Sequence, residues 1–203
     1  MFRKKTPAWK THCVSTDKVL SKIAPGMHIF IGTGTAEPRT LVNALMSAEG
    51  CNLEDLTLIQ LVSFGDAVSY NALESHRYRL KTFFSGWVSA LAITAGRVDL
   101  IPTRFSKVPL LMRDGLIPID VAFLQITPPN ENGYCSFGLG VDVARRVMKQ
   151  AGFVVAEINE DIPFTLGDTF VHISEFDMLV QALLPPLYFP RYPVAPVFDK
   201  IAE

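Results

Sequence analysis

Two junctions in this chain restrict its fold more than any other feature. At each, a short apolar run breaks into glycines and then into helix-forming sequence. The first is His28-Ile-Phe-Ile31, followed by Gly32-Thr-Gly-Thr-Ala-Glu-Pro38 and a helical pattern from Arg39. The second is the apolar run Val121 to Ile126, the breaker pair Pro128-Pro129, and then Gly133-Tyr-Cys-Ser-Phe-Gly-Leu-Gly-Val-Asp-Val-Ala-Arg-Arg146. That last stretch reads as a glycine-rich turn opening straight into a helix. Such junctions aim unpaired backbone N–H groups and the positive end of a helix dipole at whatever lies beyond the strand. They suit a phosphate, a carboxylate or a developing oxyanion.

The rest of the chain repeats the alternation. Ser15 or Thr16 caps a short helix carrying Val19, Leu20 and Ile23, and Pro25-Gly26 stops it. Arg39 to Ala48 is a helix with Leu41, Ala44, Leu45 and Ala48 on one face, and Gly50 lies just past its end. Leu56–Val62, Tyr78–Phe84, Val98–Ile101 and Ile119–Ile126 read as strands; Val88–Ala95, Val108–Arg113 and Val141–Ala151 read as helices. Asp142 stands as a first-turn acid of the last of these helices. Phe153–Ile158 reads as an apolar strand without alternation, as in sheets covered on both faces. This order predicts an α/β fold, a mostly parallel sheet with helices on both faces. Five prolines between Leu184 and Phe198 predict an extended linker, and Asp199–Glu203 reads as the first turn of a further helix.

Composition narrows the function classes. A chain of 203 residues, 49% hydrophobic and 19% charged, folds as one domain or one domain with a tail. A formal net charge of −1 gives no reason to expect nucleic acid or an anionic membrane as partner. No apolar stretch approaches the ~20 residues of a membrane span, and no apolar segment follows the basic start as in a secretory signal. Three scattered cysteines without a C-x-x-C fit a reducing, cytoplasmic setting.

Spacing alone leaves the chemistry open. In the first loop Glu37 occupies the place where a dinucleotide fingerprint has its third glycine, and no Gly-Lys-Ser/Thr follows as in a phosphate loop. That loop is equally a tight turn with no ligand. Cys135 lacks a partnering His or acid and reads as a core residue. The four histidines form no metal-binding pattern, so no metal site is expected.

Three stretches together resemble the N-terminal domain of the acetyl-CoA hydrolase/transferase family, which includes 4-hydroxybutyrate and succinyl-CoA:acetate CoA-transferases. They are Gly26-Met-His-Ile-Phe-Ile-Gly-Thr-Gly-Thr-Ala-Glu-Pro38, the segment Asp120 to Asp142 containing Pro-Pro-Asn-Glu-Asn-Gly-Tyr-Cys-Ser-Phe-Gly, and Asn159 to Ser174 containing Pro163-Phe-Thr-Leu-Gly-Asp168. The middle stretch is the specific one. Two positions depart from the family pattern: Phe164 stands where arginine is usual, and Asn132 where histidine is common. No anion contact is carried over to position 164.

The resemblance implies a two-domain enzyme of the CoA-transferase-like, sugar-phosphate-isomerase-like open α/β type, with its site in the cleft between halves. A glutamate attacks the acyl-CoA thioester and passes through an anhydride and a glutamyl-CoA thioester. That glutamate belongs to a second domain, and none of Glu37, Glu157 or Glu160 matches its motif. Residues 1–183 are expected to form the N-terminal domain, and 184–203 a proline-rich linker to a C-terminal catalytic domain absent from this chain. The walls expected to face coenzyme A and the acyl group are Gly32, Thr33, Gly34, Thr35, Ala36 and Pro38; then Ser136, Gly138 and Gly140; then Thr165, Gly167 and Asp168. Substrates are an acyl-CoA thioester and a small carboxylate, with no separate cofactor, and a homo-oligomer is expected. The alternative is a non-catalytic ligand-binding module of the same fold.

Overall fold

The computed structural model describes residues 7–48, 53–65, 77–86, 90–188 and 196–202. Helices α1 (Thr16–Leu20), α2 (Arg39–Ser47), α3 (Ala90–Thr94), α4 (Val108–Arg113), α5 (Ala144–Gln150) and α6 (Pro196–Ala202) accompany nine strands. These are β1 (His28–Ile31), β2 (Leu56–Gln60), β3 (Tyr78–Thr82), β4 (Val98–Leu100), β5 (Val121–Ile126), β6 (Tyr134–Ser136), β7 (Phe153–Ile158), β8 (Phe170–His172) and β9 (Met178–Gln181). Seven form one sheet in the order β4-β3-β2-β1-β5-β7-β9, and every pairing within it is parallel. This is the open α/β architecture that the alternating pattern predicts.

Both faces of the sheet are packed, which explains the apolar runs. Within β1, Ile29 and Ile31 point into a core with Val19, Leu41, Leu45 and Ala92 of α1, α2 and α3. Phe30 points the other way, to a core with Val108, Met112, Ala144 and Val147 of α4 and α5. In β5 and β7, Phe123 and Val155 join the first core, while Leu124, Ile126, Val154 and Ala156 join the second. Alternation of side chains along each strand thus feeds two apolar layers.

Three expectations need correction. The run from Gly133 does not open straight into a helix: β6 intervenes and pairs antiparallel with β8, Tyr134 opposite His172 and Ser136 opposite Phe170. Those pairings satisfy backbone groups that a turn would have left to the helix, so α5 begins only at Ala144. Asp142 consequently lies ahead of the cap residue Val143, whose N–H donates to Asp142 Oδ1 at 2.6 Å. At the far end, the helix starts at Pro196 rather than Asp199, because proline's missing N–H costs nothing in a first turn. Of the linker expected across residues 184–203, residues 184–188 carry no helix or strand, and 189–195 lie outside the described residues. The strand β9, bonded to β7, was not apparent from the sequence pattern.

Candidate active site

The strand order reverses at β1 and β5: the chain builds outward from β1 through β2, β3 and β4, then returns to β1's other side with β5. In open parallel sheets, ligands bind in the crevice beyond the carboxyl ends at such a reversal. The first glycine loop leaves β1 there, and the segment carrying the second follows β5.

The first loop is fixed by its own backbone and by polar side chains at the strand ends. Gly32 N donates to Phe123 O (3.0 Å), Gly34 N to Val62 O (3.0 Å), Ala36 N to Thr33 O (2.9 Å) and Glu37 N to Gly34 O (3.2 Å). Gly34 sits at φ +57°, a conformation other residues adopt only with strain, and a Cβ on Gly32 would lie 2.5 Å from Ala36 O. The glycines are therefore demanded by the turn itself. Gly32, Gly34, Ala36 and Pro38 are buried, while Thr33 and Thr35 are half-buried.

Beneath the loop runs a chain of buried polar groups. Gln60 Nε2 donates to Gly32 O and to Glu37 Oε2, each at 3.0 Å. Gln125 Nε2 donates to Glu37 O (2.9 Å), and Asn159 Nδ2 donates to Gln125 Oε1 (3.0 Å). Carboxyl ends of β2, β5 and β7 are thereby tied to the loop after β1. Glu37 stands where the fingerprint glycine would be because its side chain belongs to this network. Glu157, at the end of β7, accepts Leu41 N at 2.9 Å in the first turn of α2. Burial pushes its carboxyl up to about 7, and the Glu37 charge adds to this, against the lowering by hydrogen bonds from Leu41 and Thr40.

The second predicted wall packs on the first, and Thr165 of the third bonds to the second. A Cβ on Gly140 would sit 2.4 Å from Ala36 Cβ, so the two glycine loops touch. Ser136 is fully buried; its Oγ lies 2.9 Å from Thr165 Oγ1, donates to Thr165 O (3.1 Å) and accepts Gly138 N (3.1 Å). Thr165 Oγ1 in turn donates to Gly138 O at 3.1 Å. Gly167 is exposed, and Asp168 is turned to solvent beside Arg145, with Nε–Oδ1 3.6 Å. Around these loops lie exposed apolar side chains, Leu139, Phe164, Leu166 and Phe170, with the Phe164 and Phe170 rings 5.4 Å apart. An apolar cluster thus occupies the position of the missing arginine.

Among the described residues, no group of three or more His, Cys, Asp or Glu is placed to hold a metal ion, and no helix is long and apolar enough to cross a membrane. Burial pushes the Cys135 thiol up to about 12, far from the reactive thiolate range.

Gln60, Ser63, Gln125 and Asn159 were not singled out by the sequence reading. Their signal is a polar residue at or near the end of an apolar run, as in Leu-Thr-Leu-Ile-Gln60 and Val-Ala-Phe-Leu-Gln125.

The family model for the acetyl-CoA hydrolase/transferase N-terminal domain matches residues 2–183. The chain belongs to this family. It is 34% identical over 179 residues to a 4-hydroxybutyrate coenzyme A transferase of Clostridium kluyveri, covering 88% of this chain and 42% of that protein. It is 31% identical over 198 residues to the succinyl-CoA:acetate/propanoyl-CoA:succinate CoA transferase of Fasciola hepatica, covering 97% and 40%. The chain therefore spans about two fifths of the length of these relatives. RipA from Yersinia pestis superimposes with a TM-score of 0.84 at 25% identity, covering 96% of this chain and 47% of RipA. A 4-hydroxybutyrate CoA-transferase from Porphyromonas gingivalis gives 0.67 at 27%, covering 89% and 42%.

Proposed function

We propose that this chain is the N-terminal half of an acyl-CoA:carboxylate CoA-transferase, or of an acetyl-CoA hydrolase, working in the cytoplasm as part of a homo-oligomer. The observation that carries the reading is the contact of two glycine loops at the reversal point of a family fold, with the buried acids Glu37 and Glu157 engaged beneath the first. Glu37 and Glu157 hold the loop and the helix in place, so the attacking carboxylate comes from a second half. There it forms a C–O bond to the acyl carbon as the C–S bond breaks, releasing coenzyme A thiolate. Thr33, Thr35 and the Gly138–Gly140 turn face the thioester, and no separate cofactor takes part. Fixed donors aimed at the developing oxyanion are worth ~3 kcal/mol each.

Amide hydrogen exchange with and without acetyl-CoA tests this. Protection at residues 32–37 and 136–140 is the expected result, together with no turnover by this chain alone and turnover on adding a relative's second half. Exchange at the loops unchanged by acetyl-CoA, or turnover by this chain alone, overturns the reading.

A further inference from the structure

Beyond β9 the chain leaves the sheet, and Ala182 N makes the last bond to a strand, to Ile158 O at 2.9 Å. The next three residues are held, among the described residues, by side chains from elsewhere. Leu183 N donates to Thr40 Oγ1 (2.9 Å), and Arg39 Nη1 donates to Pro185 O (3.0 Å). Asn159 Nδ2 reaches Leu184 O at the longer distance of 3.5 Å. The Leu183 side chain is 79% exposed, so its own packing adds little. Arg39 and Thr40 open α2, directly after Pro38 of the first glycine loop. The segment 183–185 is therefore clasped to the helix that this loop leads into.

The clasp ends on a buried acid. Thr40 bonds to Glu157 through its N–H and its hydroxyl, beside the bond from Leu41 N at 2.9 Å. A hydroxyl has one proton to donate and lone pairs to accept with. A Glu157 carboxylate can only accept, so the Thr40 proton points at it and the lone pairs are left for Leu183 N. A protonated Glu157 has an O–H that needs an acceptor, and Thr40 Oγ1 is the oxygen already bonded to it. Thr40 then accepts from within, in competition with Leu183 N. The charge acting on Glu157 is the like charge of Glu37; Gln125 and Val180, opposite it on β5 and β9, are uncharged, and Arg39 is engaged at Pro185 O. Burial and the Glu37 charge hold the carboxyl up at about 7, so it changes state near neutral pH. We propose that Thr40 is a positioning residue that clasps segment 183–185 to α2, and that a proton on Glu157 loosens the clasp. This device works through bonds within the chain and is independent of what the glycine loops bind.

The test is amide hydrogen exchange, read by NMR in the 203-residue chain from about pH 5.5 to about 8.5 and corrected for intrinsic rates. The expected result is a rise of about fivefold in the protection of Leu183 as pH passes through about 7. Ala182, held by a backbone carbonyl, shows no such rise. Ionising a buried carboxyl lowers global stability as pH rises, so a gain at Leu183 runs against the global trend and reports the clasp itself. Glu157→Gln makes Leu183 protection independent of pH. Thr40→Val lowers it about fivefold at high pH and also flattens it, while Thr40→Ser restores both the level and the rise. A flat or falling profile at Leu183 in the parent overturns the proposal, and this reading needs no variant to fold. An equal rise at Ala182, or a rise that persists in Glu157→Gln or Thr40→Val, overturns it too. Failure of Thr40→Ser to restore the profile assigns Thr40 to packing and refutes its positioning role.

Discussion

The two glycine loops touch at Gly140 and Ala36, yet they are held by different chemistry. The first is pinned from below by carboxamides and a carboxyl group from distant strands: Gln60, Gln125 and Glu37 bind across 23 and 88 residues of sequence. The second is held by hydroxyls, Ser136 and Thr165, within a small ribbon lying apart from the main sheet. The first is almost wholly buried. The second is edged by Leu139, Phe164 and Leu166, all exposed. The first loop is thus part of the sheet's end. The second is a rim whose side chains can change without disturbing the core, and the departure at Phe164 falls there.

The largest expected effect separates the loops by what a methyl group meets. In Gly32→Ala the Cβ would lie 2.5 Å from the Ala36 carbonyl oxygen, and backbone cannot swing aside. We expect a loss of about 3 kcal/mol in denaturant unfolding. In Gly138→Ala the nearest atom is Ile162 Cδ1 at 2.9 Å, the end of a flexible side chain, so the cost is mainly that of a non-glycine at φ +59°. About 1 kcal/mol is expected. Equal losses would mean the second loop is as firmly built in as the first.

Glu157 sharpens the comparison through pH. Its carboxyl is raised in the folded protein from an ordinary 4.5 to about 7, chiefly by burial. Between those values the native state holds more protons than the unfolded chain, so stability falls as pH rises. The contribution is fully present below 4.5, is lost by the time pH passes about 7, and is constant above that. The shift corresponds to roughly 3 kcal/mol. Glu157→Gln keeps an acceptor for Leu41 N and cannot ionise. Unfolding curves of parent and variant across pH should therefore diverge up to about 7, the variant being the more stable at the high end. Curves that remain parallel would show that Glu157 is charged at no cost, and that the floor of the first loop is wetter than its burial implies.

The sheet was legible because its physics is local. Short apolar runs such as Phe153–Ala156, rich in β-branched residues, fit strands covered on both faces, and Pro-Gly or Gly punctuation marks their ends. The ribbon was not legible, because β6 and β8 are three-residue strands whose pairing joins residues 34 or more apart. No periodicity develops in three residues. Likewise β9 is four residues long and hidden behind Asp177. Of the site, the loop positions were readable from glycine placement. The network of Gln60, Gln125 and Asn159 was not, since a single amide closing an apolar run has no meaning until the strands are set side by side. Ser136 shows the same limit. Its place in the family pattern is visible in sequence, but that its hydroxyl is consumed by Thr165 and Gly138 is visible only in the fold.

The smallest effects come from two buried serines, and they test the comparison most finely. Ser136, in the second loop, and Ser63, beside the first, are 0% and 1% exposed, so burial does not distinguish them. Their partners do. Ser136→Ala strands the Gly138 N–H, previously bonded at 3.1 Å, while Thr165 O keeps the bond donated by Thr169 Oγ1. A loss of about 1–2 kcal/mol is expected, the usual penalty for leaving a buried donor unpaired. Ser63→Ala removes a hydroxyl with no partner among the described residues. Taking an unpaired polar group out of the interior releases its desolvation cost, so stability should stay within about 0.5 kcal/mol of the parent or rise. Denaturant midpoints of the two variants in one buffer decide the matter. A loss in Ser63→Ala matching that in Ser136→Ala would show that both serines serve the architecture.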